Sequence, residues 1–291
     1  MGCRTLPPLN FDPPLKGEVA AAAATDGGVS PCREEDTPPP RASRAVPLPL
    51  RWRIGWGLAF ALTLFAAPAF AQEAQTPEQR LDALDQRITR LEDMNQVERV
   101  QRTYGYFVDK SQWVPLSELF TEDATLEIGG KGLFLGRDRV LEYMQTAFGK
   151  DGTKAGLLAN HMQFQPIVTV ADDGMSAKGR WQGMVMLAEP GQNGVWGIGV
   201  YENEYVKQRG VWKIASLHFY VTAETDYDAG WLKSAIPMEG PSALFPPDRP
   251  PSEVYRTFPS NYIPPFSFDH PVTGQSLKDL PQPADDVARP E

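Results

Sequence analysis

The spacing of apolar positions changes near the middle of this chain. From residue 77 to about residue 149, apart from a strand-like segment at 121–128, apolar side chains recur every three or four positions, which is the period of an amphipathic helix. From about residue 160 to residue 222, runs rich in Val, Ile, Tyr and Trp are separated by glycine-containing turns, which is typical of strands. The pattern predicts helices first and a sheet afterwards.

The first predicted helix begins with a capping sequence and carries an apolar stripe. In Thr76-Pro77-Glu78, Thr is the N-cap, Pro takes the first helical position and an acid lies in the first turn. The stripe has heptad spacing, at Leu81, Leu84, Ile88 and Leu91. Two interpretations are open: it is the apolar face of an ordinary amphipathic helix, or it extends a dimer contact.

The remaining pattern predicts two more helices and a sheet. A short helix spans about 113–120 and another spans 136–149, with a first strand at 121–128. Four further strands are expected at about 160–170, 177–188, 194–208 and 211–222. The predicted fold class is α+β: a curved antiparallel sheet wrapped around about three N-terminal helices, which forms a cone-shaped α+β barrel.

Residues 228–291 are punctuated by prolines but keep many aromatic side chains. Disordered tails are normally poor in aromatic residues. We therefore predict an extended proline-rich C-terminal tail that covers apolar surface of the domain or of a dimer mate. Binding of a cell-envelope partner through this tail is a third possibility.

The N-terminal part predicts export. Residues 51–71 show a basic start, an apolar run and a small-residue ending at Ala71, which is the pattern of a cleaved signal peptide; an uncleaved membrane anchor is the alternative. Residues 1–50 are either disordered or upstream of the true start. The segment 72–95 is a linker and helical extension, and 96–227 is the main domain. We expect a periplasmic or secreted protein without stable membrane insertion after cleavage.

The amino-acid composition argues against several classes of partner and of catalytic group. The chain has 28 Lys and Arg against 37 Asp and Glu, and this acidic balance argues against nucleic acid as a partner. Both cysteines, Cys3 and Cys32, precede the predicted leader, so the exported chain would have no thiol. Its three histidines are far apart and form no metal-binding motif. We expect no metal and no cofactor.

Several motifs together resemble a known superfamily. They are the helix junction YGYFVDKSQWVPLSEL over 104–119, the strand entry FTEDA over 120–124, the helix start over 136–143, and the hairpin sequences GVYENEY and GVWKIASLH over 199–205 and 210–218. This pattern, over about 95–225, is similar to the SnoaL-like branch of the nuclear-transport-factor-2-like (NTF2-like) superfamily. The resemblance implies the cone-shaped fold, but the superfamily contains both enzymes and binding domains.

The resemblance also implies a catalytic pair. Asp109 and His161 occupy the places of the Asp and the His in the scytalone dehydratases and dehydrochlorinases of this superfamily. A carboxylate that accepts the proton of one imidazole nitrogen fixes the tautomer and makes the other nitrogen a better base. The alternatives are a capping role for Asp109 at a helix end and a half-buried His161 bonded to a backbone carbonyl.

Further site residues are proposed from strand alternation and from aromatic character. If Trp212 and Ile214 face the cone, the period of two places His218 and Tyr220 there as well. His218 is therefore a third catalytic candidate. The alternative is that it is a solvent-exposed histidine at the end of a strand. The substrate-binding candidates are Tyr104, Trp181, Tyr201, Tyr220 and Met184. For each of these taken singly, ordinary core packing is the alternative.

The pattern of the scytalone dehydratases is not fully reproduced. Val108 and Gly129-Gly130 stand where those enzymes have tyrosines, so the groups that polarise their substrate carbonyl are missing. The sequence favours a cofactor-independent lyase or isomerase that acts on a small, aromatic substrate by elimination or retro-aldol cleavage. The alternative is a non-catalytic small-molecule-binding or dimerisation domain. In either case we expect a homodimer or higher homo-oligomer.

Overall fold

The structure is a computed structural model, and it describes residues 75–150 and 152–283. The predictions for residues 1–50, for the leader at 51–71 and for cleavage after Ala71 lie outside these residues. Within the described part, no helix is both long enough and apolar enough to cross a membrane.

Three α-helices precede most of the sheet. Helix α1 is Pro77–Asp109, α2 is Trp113–Ser117 and α3 is Arg137–Phe148. The Thr76 hydroxyl accepts a hydrogen bond from the Gln79 backbone N–H at 3.3 Å, and the Gln79 side chain accepts one from the Thr76 N–H at 2.9 Å. This capping box satisfies two helix-end donors. Helix α1 is continuous through position 95, so the predicted extension and the main domain share one helix.

Six strands form one sheet in the order β2-β1-β6-β5-β4-β3. The strands are β1 (Phe120–Ile128), β2 (Leu133–Leu135), β3 (Leu158–Val170), β4 (Ser176–Ala188), β5 (Gly194–Gln208) and β6 (Val211–Asp226). The predicted α+β class, a curved sheet with helices packed against it, is confirmed. The expectation of a wholly antiparallel sheet is wrong in one place, because β1 and β6 pair in parallel.

Helix α1 is held on the sheet by polar contacts as well as by apolar packing. Gln101 is fully buried, and its side-chain oxygen accepts hydrogen bonds from Asn203 and from the Tyr205 hydroxyl, both at 2.8 Å. Two turns earlier, Asp93 accepts a hydrogen bond from the Trp212 indole at 2.9 Å. Buried polar groups are costly unless they are paired, so these bonds fix the position of α1 along the sheet.

A bulge in β6 changes which side chains face the helices. Tyr205 pairs with Ile214 and Glu204 pairs with Ser216, which leaves Ala215 without a partner on β5. One extra residue reverses the alternation that follows it. Trp212 and Ile214 lie in the core before the bulge.

The C-terminal tail lies on its own chain, which is one of its two predicted positions. Leu133 forms a β-bridge with Arg249, and the Phe134 and Phe245 rings stack with centroids 5.4 Å apart. Further along, the Tyr255 hydroxyl accepts a hydrogen bond from the Val221 backbone N–H at 2.9 Å. The tail is therefore attached to β2 and to β6.

We expect Tyr255→Phe to lower the free energy of unfolding by about 1–2 kcal/mol, because the buried N–H of Val221 loses its acceptor. Tyr262→Phe is the matched control. Its ring stacks on Tyr255 at 4.4 Å, but its hydroxyl makes no hydrogen bond to a described residue, so its effect should stay within about 0.5 kcal/mol. Urea unfolding measures both. Equal effects of the two variants would contradict the assigned role of the Tyr255 hydroxyl.

Candidate active site

A cavity of about 280 Å³ lies between the helices, the concave face of the sheet and the tail. Its wall is mainly apolar. The apolar part includes Val108, Met144, Phe148, Val185, Leu187 and Phe219. The predicted residues His161, Tyr104 and Tyr201 also line it.

Asp109 and His161 meet at the edge of this cavity. The Asp109 Oδ1 atom lies 3.1 Å from His161 Nδ1 and also accepts a hydrogen bond from the His161 backbone N–H at 2.6 Å. The two side chains are only 12 % and 10 % exposed. Because a carboxylate oxygen can only accept, the hydrogen of the neutral ring belongs on Nδ1, and Nε2 keeps its lone pair. Nε2 makes no hydrogen bond to a described residue.

The local sequence lets helix and strand approach closely enough for this contact. Asp109 is the last residue of α1, and Gly105 lies one turn before it on the same face. A Cβ at Gly105 would lie 2.9 Å from the His161 carbonyl oxygen, which is closer than van der Waals contact allows. The Gln163 side-chain amide donates to the same carbonyl at 3.2 Å. Glycine at 105 therefore permits β3 to lie against α1 at His161.

Two tyrosines beside the pair are hydrogen-bond donors at neutral pH. Tyr104 and Tyr201 are 3 % and 2 % exposed, and their rings meet edge to face with centroids 6.2 Å apart. Burial raises the pKa of Tyr104 well above its usual value and that of Tyr201 to about 12. Both phenols keep their protons, so they can donate to a substrate oxygen.

Two other predicted binding residues do not line the cavity. Trp181 is fully buried, and its indole donates to the Tyr205 hydroxyl at 3.1 Å within the core. On β4 the cavity wall is formed by Val185 and Leu187. Met184 alternates with these residues along the strand and therefore points to the other face of the sheet. The predicted positions of Trp181 and Met184 in the binding site are therefore wrong. Trp181 packs in the core, and Met184 lies on the opposite face of the sheet.

His218 and Tyr220 are also absent from the cavity. The bulge at Ala215 reverses the alternation, so Phe219 and Val221 face the cavity, whereas His218 and Tyr220 face the tail. The two rings stack on each other at 3.7 Å, and His218 Nδ1 lies 3.6 Å from the Glu127 carboxylate. Their predicted catalytic and substrate-binding positions are wrong because alternation was extended across an unrecognised bulge.

The sequence interpretation missed a group of charged and polar residues in the cavity wall. Lys131, Tyr143, Glu224 and Glu239 all line it, and the tail residues Ile236 and Met238 complete this side. The only local signal was Gly129-Gly130, which admits the tail segment. A Cβ on Gly129 would lie 3.1 Å from the Met238 sulfur, and one on Gly130 would lie 3.0 Å from the Glu239 carbonyl oxygen.

Among the residues that the structure describes, no three His, Cys, Asp or Glu side chains come together in a way that could hold a metal ion.

Comparison with known proteins concerns the part of the chain that forms the sheet and the first helix. The family model of the SnoaL-like domain matches residues 89–218, so this segment is similar to SnoaL-like domains. No curated protein matches the chain.

Solved structures that are similar to part of this chain include two from Novosphingobium. A putative scytalone dehydratase of Novosphingobium aromaticivorans is 20% identical over 53% of this chain and 96% of that chain, with a TM-score of 0.44. The hexachlorocyclohexane dehydrochlorinase LinA-type3 of Novosphingobium barchaimii is 19% identical over 49% of this chain and 94% of that chain, with a TM-score of 0.43.

We expect His218 to make stability depend on pH. Burial lowers its pKa from 6.5 to about 4, so the unfolded chain binds this proton more readily than the folded domain. The free energy of unfolding should therefore fall by up to about 3 kcal/mol as the pH falls from about 6.5 to about 4. Above pH 6.5 His218 no longer makes the free energy of unfolding depend on pH.

The difference between wild type and His218→Gln isolates this contribution. We expect the variant to show a flatter profile of unfolding free energy between pH 4 and pH 6.5, measured by urea unfolding. Parallel profiles for wild type and His218→Gln would contradict the assignment.

Proposed function

We propose that the SnoaL-like domain is a cofactor-independent lyase or isomerase in which His161 moves a proton. The observation that carries this proposal is the 3.1 Å contact between Asp109 Oδ1 and His161 Nδ1, with the imidazole ring on a cavity of about 280 Å³. A base oriented by a carboxylate in a mainly apolar site is suited to general acid–base catalysis.

The pair would act on carbon acids. His161 Nε2 takes a proton from a carbon next to a carbonyl or another activating group, while Asp109 stabilises the imidazolium that forms. In an elimination, the electron pair of the broken C–H bond forms the double bond, and the leaving group departs with the proton from His161. Tyr104 and Tyr201 can donate hydrogen bonds to the oxygen on which negative charge develops.

Retro-aldol cleavage uses the same residues in another order. His161 takes the proton of a hydroxyl group, the adjacent C–C bond breaks, and a carbonyl fragment leaves. The electron pair remains on the other carbon, which then receives the proton from His161. We favour elimination and retro-aldol cleavage over isomerisation. The size and the apolar wall of the cavity suit a small aromatic substrate.

A non-catalytic binding domain is the second candidate. Its support is the tail, because Ile236 and Met238 close one side of the cavity and would hold an apolar molecule there. In that case His161 would serve only as a hydrogen-bonding group, and its removal would alter affinity without a catalytic effect.

We expect the domain to catalyse ring opening of 5-nitrobenzisoxazole, a probe whose C–H proton is removed by a base while its N–O bond breaks. His161→Ala should lower kcat/KM by at least about 100-fold, and Asp109→Asn should lower it by a smaller factor. Appearance of the coloured phenolate measures the rate. Thermal unfolding checks that each variant is folded.

His270→Ala is the control for removing a histidine, since His270 lies in the tail and does not line the cavity. It should retain the wild-type rate. A His161→Ala variant that is folded and equally active would contradict the catalytic assignment. If neither the wild type nor any variant accelerates the reaction, the result favours the binding domain.

We also propose that the protein is an exported homodimer. The leader-like residues 51–71 support export. The stripe on α1 supports the dimer, because its four side chains are 51–66% exposed in the single chain: Leu81, Leu84, Ile88 and Leu91. Heptad spacing allows two such helices to pack together.

We expect sedimentation velocity to show a dimer for the wild type and a monomer for Leu84→Glu/Ile88→Glu, because buried carboxylates in the seam would be unpaired. Val211→Glu is the control, since Val211 is 57% exposed but belongs to β6 and not to the stripe on α1. A wild-type monomer, or a dimer that survives the double change, would contradict this contact.

A further inference from the structure

We propose that the β1 side of the cavity is a subsite for a neutral hydroxyl group of the substrate, formed by Lys131, Tyr143 and Glu224. The inference rests on the proposed function for its choice of substrate, and it names the substrate class. That class is an apolar, aromatic molecule that carries a hydroxyl group, rather than a carboxylate, away from the carbon that reacts.

The subsite and the base belong to opposite parts of the sheet. Lys131 follows β1, whereas His161 lies on β3, and β6, β5 and β4 separate these two strands. Both side chains nevertheless line the same cavity because the sheet is curved. A substrate could therefore contact both at once, with its apolar body between them.

Lys131 supplies a positive hydrogen-bond donor. Its ammonium nitrogen lies 2.9 Å from the Glu239 carboxylate, and its side chain is 34% exposed. Burial lowers the pKa of Lys131, but neighbouring Tyr143 and Glu239 more than offset this and raise the pKa above its usual value. The ammonium therefore stays charged, and it has two further hydrogens for a ligand.

Tyr143 and Glu224 supply a neutral donor and an acceptor. Tyr143 is 4% exposed, and burial raises its pKa, so the phenol stays protonated. The backbone oxygen of Glu224 accepts from the Ile236 N–H at 2.8 Å, but the Glu224 carboxylate makes no hydrogen bond to a described residue. This half-buried carboxylate lines the cavity and needs a donor.

The charges favour a hydroxyl over a carboxylate. Glu224 and Glu239 together carry two negative charges against the one positive charge of Lys131. A hydroxyl can donate to Glu224 and accept from Lys131 or Tyr143. A ligand carboxylate would add a negative charge beside Glu224, where burial already raises the pKa of the carboxyl, and a second negative charge there is costly.

The tail makes this arrangement possible. Gly129 has φ +52°, and neither it nor Gly130 could carry a side chain without contact with Met238 or the Glu239 backbone. The glycine pair therefore lets the segment 236–239 reach the cavity and bring the Glu239 carboxylate to Lys131. Without this segment, one side of the subsite would be missing.

Binding of three simple probes tests the subsite without turnover. The probes are 2-naphthol, naphthalene and 2-naphthoate, titrated by calorimetry or fluorescence. We expect 2-naphthol to bind about tenfold more tightly than either of the others, as one good hydrogen bond would give. Lys131→Met should remove its advantage over naphthalene, and Glu224→Gln should bring 2-naphthoate to within a few-fold of 2-naphthol.

The controls come from another Lys–Glu pair of this chain. Lys178 and Glu204 lie 3.4 Å apart on the sheet and do not line the cavity, so Lys178→Met and Glu204→Gln should leave all three affinities unchanged. Thermal unfolding of each variant checks that it is folded.

The same titrations in His161→Ala show which group holds the hydroxyl. Preference for 2-naphthol that persists in His161→Ala and disappears in Lys131→Met supports the subsite. Preference that depends on His161 instead, equal affinities for the three probes, or no binding of any probe overturns it. Because only binding is measured, the result stands whether or not the domain catalyses proton transfer.

Discussion

The contact between the end of α1 and the edge strand β3 is the interaction on which the site depends. One carboxylate oxygen of Asp109 accepts both the backbone N–H and the ring Nδ1–H of His161. The backbone bond positions the strand and the ring bond orients the base, so the fold and the chemistry use the same atom. Gly105 permits the contact, and Gln101 with Asp93 keeps α1 in place on the sheet.

The opposite side of the cavity depends on the tail. The segment 236–239 reaches the cavity over two glycines, and it brings a carboxylate to Lys131 as well as apolar side chains. The rest of the tail is attached to β2 and β6 through Arg249 and Tyr255. The tail is thus part of the cavity wall, and it contributes the carboxylate that pairs with Lys131.

Features that depend on local spacing could be predicted from the sequence. These include the cap at Thr76 and the order of helices and strands. The pairing of Asp109 with His161 was instead implied by the resemblance to the SnoaL-like branch, because the two residues are 52 positions apart. Features that depend on distant pairing could not. The bulge at Ala215 has no glycine or proline to mark it, so His218 was assigned to the wrong face, and the cavity residues Lys131 and Glu239 are more than 100 positions apart.

The tautomer of His161 tests the central claim most directly. Nitrogen-15 NMR of the histidine side chains at alkaline pH distinguishes a ring protonated on Nδ1 from one protonated on Nε2. The account requires the hydrogen on Nδ1 in the wild type, held by Asp109, and a shift of the population towards Nε2 in Asp109→Ala. A wild-type ring protonated on Nε2 could not accept a substrate proton there and would contradict the proposed base.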